Sequence, residues 1–499
     1  MKLRNKCQRV VEKLLCRGTR RRRLYELIIK GIKVIMNEGW RAGCRKTLKF
    51  IDRKLGRIAR NPYKGDYFFT YIDTSKTIIP KSILSKNSEP IITLKEDTVS
   101  VIIPVKNAGN EFDRLLYTLK NQRWLSCIEI IVVDSGSTDE SVRIAKENKV
   151  KLIEIKPSEF SHSYARNLGA QAATNNYLFF ITQDVLPASD LLFYQLLNAL
   201  KKNQVAAVSC KAYPREDADL FCLVNSWTFY DNFMELDKGD RILSMPDRIT
   251  PWILRKNGQL SDVACLIKRD LFFQYKYRGS FAEDLDLGLR LIKDGYKLAF
   301  LNSVSVIHSH NRNTWFWLKR GYVDVVTANE FFPDYSTVSM NINEDNIWND
   351  IIYAYYLINS AVREELDEIK ADTTPDRLFD LVEKRLHSDK IVISKTSNYF
   401  DEKYVDIKFS NFIKNIENKN ETKIIRSDED IIISEIIGYL DTVRKYMNHI
   451  YPVVDQNLLE DFKKCLYKIY ASQCGSRIAF YSINGVIKSD RDKELREGI

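Results

Sequence analysis

The chain has 499 residues, and at roughly 100–200 residues per domain it holds two or three domains with ample material for a large core. Its 44% hydrophobic and 11% aromatic content excludes a chain that stays disordered, and nine scattered Cys without a CxxC pair exclude a zinc clip or disulfide framework and suit reduced thiols. No apolar run reaches the roughly 18 residues of a membrane span, and MKLRNKCQRVVEKLLCRG lacks a signal-peptide core, so the expectation is a cytoplasmic protein, neither secreted nor transmembrane.

Residues 1–60 read as a basic helical segment, because Val10, Leu14, Leu15, Leu27, Ile28, Ile32 and Ile35 recur at helical spacing between Lys and Arg. They carry 20 Lys and Arg against 4 Asp and Glu, a net +16, which leaves −5 on the rest of a chain whose total is +11. That asymmetry predicts attraction to an anionic partner, either a phospholipid surface or nucleic acid. Pro62, Pro80 and Pro90 among polar residues mark 61–97 as a linker. From residue 98 to 332 short β-branched runs alternate with amphipathic stretches: VSVIIPV, a helix over Asn110 to Asn121, IEIIVVD, another helix, KLIEI and YLFFI. This is the βαβα pattern of a mostly parallel sheet covered by helices. Beyond it, NIWNDIIYAYYLINSAVREELDEI and DEDIIISEIIGYLDTVRKYMNHI have helical spacing, so 333–499 is expected to be a helical C-terminal domain.

Ligands of such sheets bind at the carboxyl ends of the strands, so the residues that end each strand carry the most weight. The first strand ends in Lys106-Asn107 and the second in Asp134, followed by SGSTDE. Ser137 and Glu140 have capping-box spacing. Asp134 is then either an acceptor for a base or ribose hydroxyl, or a turn-forming Asp. YLFFI ends in Thr182-Gln183-Asp184, where Asp184 is either an oxygen ligand for a cation on a diphosphate or the opening of a turn before Pro187. In FSHSYARNLGAQAA, Ser163 is placed as a helix cap, and Arg166 projects from the first turn beside Asn167, as a diphosphate contact or an ordinary exposed Arg.

FAEDLDLGLRLIKDGYK puts Leu285, Gly288, Leu289 and Ile292 on one helix face that Gly295 can end. Glu283 and Asp284 fall in its first turn. Acids favour that place for the helix dipole alone, and the same place would keep Asp284 ionised as a general base. In LNSVSVIHSH an extended backbone points Val304, Val306, His308 and His310 one way, as a metal contact or a structural pair.

In this order, VIIPVKN, IIVVDSGSTD, the ARN of 165–167, ITQDV, AEDLDLGLRL and VIHSH together resemble the family 2 glycosyltransferases over about Val99 to Val326. The resemblance implies the GT-A fold, a mostly parallel α/β sheet with helices on both faces, here flanked by helical N- and C-terminal regions. It implies that Pro104, Val105, Lys106, Asn107 and Asp134 hold the nucleotide base and ribose, with Arg166 and Asn167 near the diphosphate or donor sugar. Asp184 stands at the last Asp of the family's DxD metal motif, whose first Asp is replaced by Thr182, and His308 or His310 matches a position that can add a ligand. The implied cofactor is Mg²⁺ or Mn²⁺. Asp284, with Glu283 beside it, matches the catalytic base of an inverting displacement.

Within the family, FSHSYARNLGAQ with FFITQDVLPA is most similar to the bacterial rhamnosyltransferase-like branch that builds O-antigen and other surface polysaccharides. The likeness leans to rhamnose as donor sugar and to a glycan or lipid-linked acceptor, with acceptor contacts expected over 252–269. Residues 1–60 would then hold the enzyme at the inner face of the cell membrane, and no nucleic acid is expected. A nucleotidyltransferase would need a Gly-rich basic loop after the first strand, which PVKNAGNEF lacks. The alternative is a non-catalytic membrane- or nucleic-acid-binding protein on a degenerate transferase fold.

Overall fold

The computed structural model describes residues 97–109, 111–123, 125, 127–333, 343–369, 373–388, 403–419, 431–487 and 492–496. The expected basic segment at 1–60 and the linker up to residue 96 lie outside the described residues, and those that are described fall within one compact unit.

The apolar β-branched runs form strands, as their fit to a pleated, buried surface requires. They are β1 (Thr98–Val105), β2 (Cys127–Asp134), β3 (Lys151–Glu154), β4 (Tyr177–Ile181), β5 (Leu186–Pro187), β6 (Ala207–Tyr213), β7 (Arg241–Leu243), β8 (Ala264–Lys268) and β9 (Leu298–Ile307). All nine make one sheet, in the order β3-β2-β1-β4-β8-β6-β9-β5, with β7 also on β9. It is parallel over β3-β2-β1-β4 and mixed beyond, because β8 runs antiparallel to both β4 and β6 while β6 and β9 are parallel. The two reversals at β8 cancel. Strands β1, β2, β3, β4, β6 and β9 therefore end on one edge of the sheet, and β8 begins there.

Helices α1 (Glu111–Lys120), α2 (Ser141–Glu147), α3 (His162–Gln171), α4 (Leu192–Lys202), α5 (Leu220–Trp227), α6 (Pro251–Asn257), α7 (Arg269–Tyr275) and α8 (Glu283–Lys293) interleave with the strands. Adjacent strand residues point to opposite faces. Phe179 of β4 meets Phe193 of α4 and Phe180 meets Phe272 of α7, at ring separations of 5.0 and 4.8 Å, so both faces are covered. This is why β4 is apolar at every position after its first.

After β9 the described residues form helices: α9 (Thr314–Phe331), α10 (Glu344–Ser360), α11 (Pro375–Leu386), α12 (Ile407–Lys419), α13 (Ile431–Ile450), α14 (Gln456–Ile483) and α15 (Asp492–Arg496). Their apolar faces share a core that includes Leu220, Phe221 and Val224 of α5. None of the described helices is long and apolar enough to cross a membrane. Helices α9 and α14 cross backbone to backbone: a Cβ on Gly321 would lie 2.1 Å from the Ser472 carbonyl oxygen, and one on Gly475 would lie 1.8 Å from that of Leu318. Neither backbone can give way. Gly475→Ala is expected to cost about 3 kcal/mol or more through overpacking, whereas Gly438→Ala, where α13 leaves open space, should gain about 0.5–1 kcal/mol from helix propensity. Chemical denaturation of the two variants checks the contrast, and equal stability would contradict the crossing.

Candidate active site

At the end of β1 the chain turns sharply, with Asn107 in the left-handed region at φ 51°. Asn tolerates that conformation better than most residues. The turn is tied to the loop after β2: the Asn107 amide donates to Ser137 Oγ at 2.9 Å, and Asn107 Oδ1 accepts from the Thr138 amide at 2.8 Å. Asp134 is buried, and its Oδ1 accepts from the amides of Gly136 and Ser137, each at 2.9 Å. The Ser137 hydroxyl also donates to Asp134. Ser137 is thus part of this loop and not of a capping box, since α2 starts at Ser141 with Glu140 as an N-cap that makes no side-chain bond. Pro104 and Val105 lie within β1, and the Val105 carbonyl accepts from the Ser135 amide at 2.9 Å. Gln183, to which the sequence alone assigns no role, fixes the same turn from β4: its Oε1 accepts from the Lys106 amide at 2.7 Å and its Nε2 donates to the Lys106 carbonyl at 3.0 Å.

The neighbouring side chain, Asp184, faces the other way, toward the end of β9. The cause is register. β5 pairs with β9 so that Leu186 lies opposite Ile307, which draws Asp184, two residues earlier, beside His308, one residue later. Asp184 Oδ1 lies 3.3 Å from His308 Nε2 and Oδ2 lies 2.8 Å from His310 Nε2. Ligand atoms of the three side chains fall within 4.8 Å of one another, a donor set of one oxygen and two nitrogens that fits a divalent cation. Burial works against the charge on Asp184, yet hydrogen bonds from His308 and His310 hold its carboxyl well below the ordinary range. Thr182 contributes to this arrangement by donating from Oγ1 to Asp184 Oδ1 at 2.9 Å. Arg215, just past β6, donates to the Asp184 carbonyl.

Arg166 behaves differently from the exposed residue that its helix position suggests. Helix α3 starts at His162, with Ser161 as its cap through a 3.1 Å bond from the Tyr164 amide, so Ser163 is inside the helix and buried. Arg166 therefore falls in the second turn, 1% exposed. A guanidinium at that depth requires partners. It has two, ion-pairing with Glu283 at 2.5 Å and with Asp262. Asn167 holds the same region, donating to the Tyr277 carbonyl at 2.9 Å and accepting from the Tyr277 amide at 3.1 Å. Arg166 and Asn167 thus both hold the loop that leads to Asp284.

That loop ends at Ala282, a left-handed residue at φ 51°, from which α8 begins with Glu283 and Asp284 in its first turn. A non-glycine residue there stores strain beside the site. Glu283 is buried and Asp284 partly exposed. The helix dipole favours an ionised Asp284, but burial and neighbouring charge outweigh it. Burial first, then the Asp262 and Glu283 carboxylates, push it up to about 8. Burial and Asp262 likewise push Glu283 up to about 7 against the pull of Arg166. Asp262 is the residue that sequence reasoning missed. Its signal is positional: it stands just before a buried strand that runs antiparallel to its neighbours, so it reaches the functional edge from the strand's front end, where a search of strand ends does not look.

A family model described as "Glycosyl transferase family 2" matches residues 100–258. The O-antigen chain rhamnosyltransferase WbaN of Salmonella anatum is 28% identical over 223 residues, 42% of this chain and 66% of its own. RfbN of Salmonella typhimurium, also an O-antigen chain rhamnosyltransferase, is 26% identical over 219 residues, 43% of this chain and 67% of its own. The chain thus spans about two thirds of the length of the curated relatives that it matches. The mannosyltransferase PcManGT from Pyrobaculum calidifontis is 18% identical, over 48% of this chain and 65% of its own, at a TM-score of 0.36. Residues 100–258 thus match a family 2 glycosyltransferase domain, and they lie in a nine-stranded α/β sheet with helices on both faces, the GT-A architecture that the resemblance implies.

Proposed function

We propose that this domain is an inverting glycosyltransferase that moves a sugar from a nucleoside-diphosphate donor to an acceptor hydroxyl, with Asp284 as the base. The observation that carries the reading is the chemistry gathered on one sheet edge: a partly exposed carboxylate with raised proton affinity, and the cation-fitting set Asp184, His308 and His310. As the acceptor oxygen bonds to the anomeric carbon, its proton passes to Asp284 and the bond to the diphosphate oxygen breaks on the opposite face. A single displacement of this kind inverts the centre. The Lys106-Asn107 turn and the Asp134 loop would receive the base and ribose.

A divalent cation held by Asp184, His308 and His310 would offset the charge that develops on the departing diphosphate. Two imidazole nitrogens in a set of three favour Mn²⁺ over Mg²⁺, which prefers oxygen ligands. The names of the two Salmonella relatives support rhamnose as the sugar and an O-antigen-type glycan, free or lipid-linked, as the acceptor. The net +16 of residues 1–60 supports attachment to an anionic inner leaflet.

Nucleoside diphosphate release from a panel of UDP-, GDP- and dTDP-sugars tests the reading. Asp284→Asn should lower kcat by about 10²–10⁴-fold while donor binding persists, and full activity in this variant would refute the assignment of the base. A protonated Asp284 accepts nothing, so kcat should fall as pH drops through the raised carboxyl range of about 7–8, and not near pH 4. A second prediction concerns the metal. Chelation should abolish turnover, Mn²⁺ should restore it at lower concentration than Mg²⁺, and Asp184→Ala or His308→Ala should raise the Mn²⁺ needed; activity indifferent to chelator would remove the cation from the mechanism.

A further inference from the structure

Asp262 stands in a turn that the sheet itself holds. The Ser261 amide donates to Ser209 Oγ of β6 at 3.0 Å, and the Ser261 carbonyl accepts from the Ala264 amide at 3.1 Å. From this fixed position Asp262 ion-pairs with Arg166, whose other terminal nitrogen holds Glu283, and Asp262 also hydrogen-bonds Glu283. The side chains of Arg166 and Glu283 are 2% and 5% exposed, that of Asp262 21%. Three carboxyl groups, those of Asp262, Glu283 and Asp284, therefore share one buried guanidinium. Like charges at this distance cannot all ionise, so the cluster retains a proton that ordinary carboxylates would release at neutral pH.

We propose that Asp262 is a positioning residue of the transfer reaction: through Arg166 and Glu283 it fixes the start of α8, and with Glu283 it surrounds Asp284 with negative charge, so that Asp284 takes up and keeps the acceptor's proton. The inference rests on the reading of Asp284 as base. In the step it supports, the O–H bond of the acceptor breaks toward an Asp284 oxygen while the acceptor oxygen's electron pair forms the new glycosidic bond. The leaving diphosphate departs with the electrons of the old bond. A base with low proton affinity would not hold the proton through this step. Arg166 pulls Asp284 toward the ionised form, and burial together with the two flanking carboxylates outweighs that pull.

The other groups within electrostatic reach of Asp284 do not supply the same charge. Arg320 of α9 is a cation, seated 4.8 Å from the centre of the Phe281 ring and paired with Asp324. Tyr230, Tyr277 and Cys265 are buried and neutral, with burial pushing each above its ordinary value. Negative charge around the base comes from Asp262 and Glu283.

The test compares pH profiles of kcat for the full chain with those of Asp262→Asn, Glu283→Gln and Asp262→Glu, with cooperative thermal unfolding and nucleotide affinity measured for each. Removing either flanking charge should move the acid limb to lower pH by on the order of one unit and lower the plateau, while nucleotide affinity stays within about twofold. Asp262→Glu should return the limb toward its original position. A residue that served only the fold would change the melting curve and leave the limb where it was. A limb unmoved in either charge-removing variant that still folds would overturn the proposal. Failure of the base reading is distinguishable: it would show as an active Asp284→Asn, whereas failure of this inference alone would show as an inactive Asp284→Asn with an unmoved limb in Asp262→Asn or Glu283→Gln.

Discussion

The guanidinium of a residue only 1% exposed must be neutralised where it lies, because the desolvation of an unpaired charge costs more than a fold of this size has to spare. Arg166 meets that requirement with Asp262 and Glu283, which come from two parts of the chain far from its own helix. One side chain thereby fixes α3, the turn before β8 and the first turn of α8 against each other. Asn167, next to it, pins the approach to α8 through the backbone of Tyr277. The position of Asp284 is set by these contacts more than by the helix it belongs to.

The same edge is completed by sheet geometry. Because β8 reverses twice against its neighbours, six strands deliver their last residues to one side, and β8 delivers its first. β9 carries extra residues between the partners of Cys210 and Lys211, where β6 pairs first with Leu301 and then with Ser305. Asp240 stabilises this bulge by accepting from the amides of Asn302 and Ser303 at 2.7 and 2.8 Å. A bulge bends its strand and re-aims the residues beyond it. Beyond this one lies the stretch that pairs with β5 and leads into His308, so the meeting of Asp184, His308 and His310 depends on a local irregularity as well as on the three residues themselves.

How much of this was legible depended on the range of the interaction concerned. The runs VSVIIPV, IEIIVVD, KLIEI and YLFFI form strands because apolar β-branched composition is a local signal, and α8 begins at Glu283 because its apolar face and its acidic first turn agree. The spacing of Ser137 and Glu140, and the place of Ser163, suggested helix caps. Tertiary contacts took those hydroxyl groups elsewhere: Ser137 serves the Asp134 loop, and the α3 cap is Ser161. The environment of Arg166 was not legible, since an Arg in a helix has the same local pattern whether it meets water or two carboxylates. Asp262 was illegible for the same reason, and with it the proton affinity of Asp284. The helix-dipole argument was sound in sign. It lost to burial and to two nearby carboxylates, whose positions only the fold determines.

The C-terminal helices are more than an appendage to this edge. Helix α9 begins four residues after His310, and its first turn is capped from a distant part of the chain: Asp406 accepts from Thr314 Oγ1 at 2.6 Å and from the Trp315 amide at 2.8 Å. Further along, α9 is locked to α14 by the glycine crossing at Gly321 and Gly475. Helix α14 in turn ion-pairs through the buried Lys468 with Asp219, the cap of α5, a few residues past Arg215. Two separate routes thus run from the helical region to the segments that bear His310 and Arg215. Backbone-to-backbone packing has no soft degree of freedom to absorb a shift, so any displacement of α14 must be passed to α9 and to the end of β9. The helical region is thus a brace for the cluster of Asp184, His308 and His310, whose geometry depends on residues more than 90 positions away in the sequence.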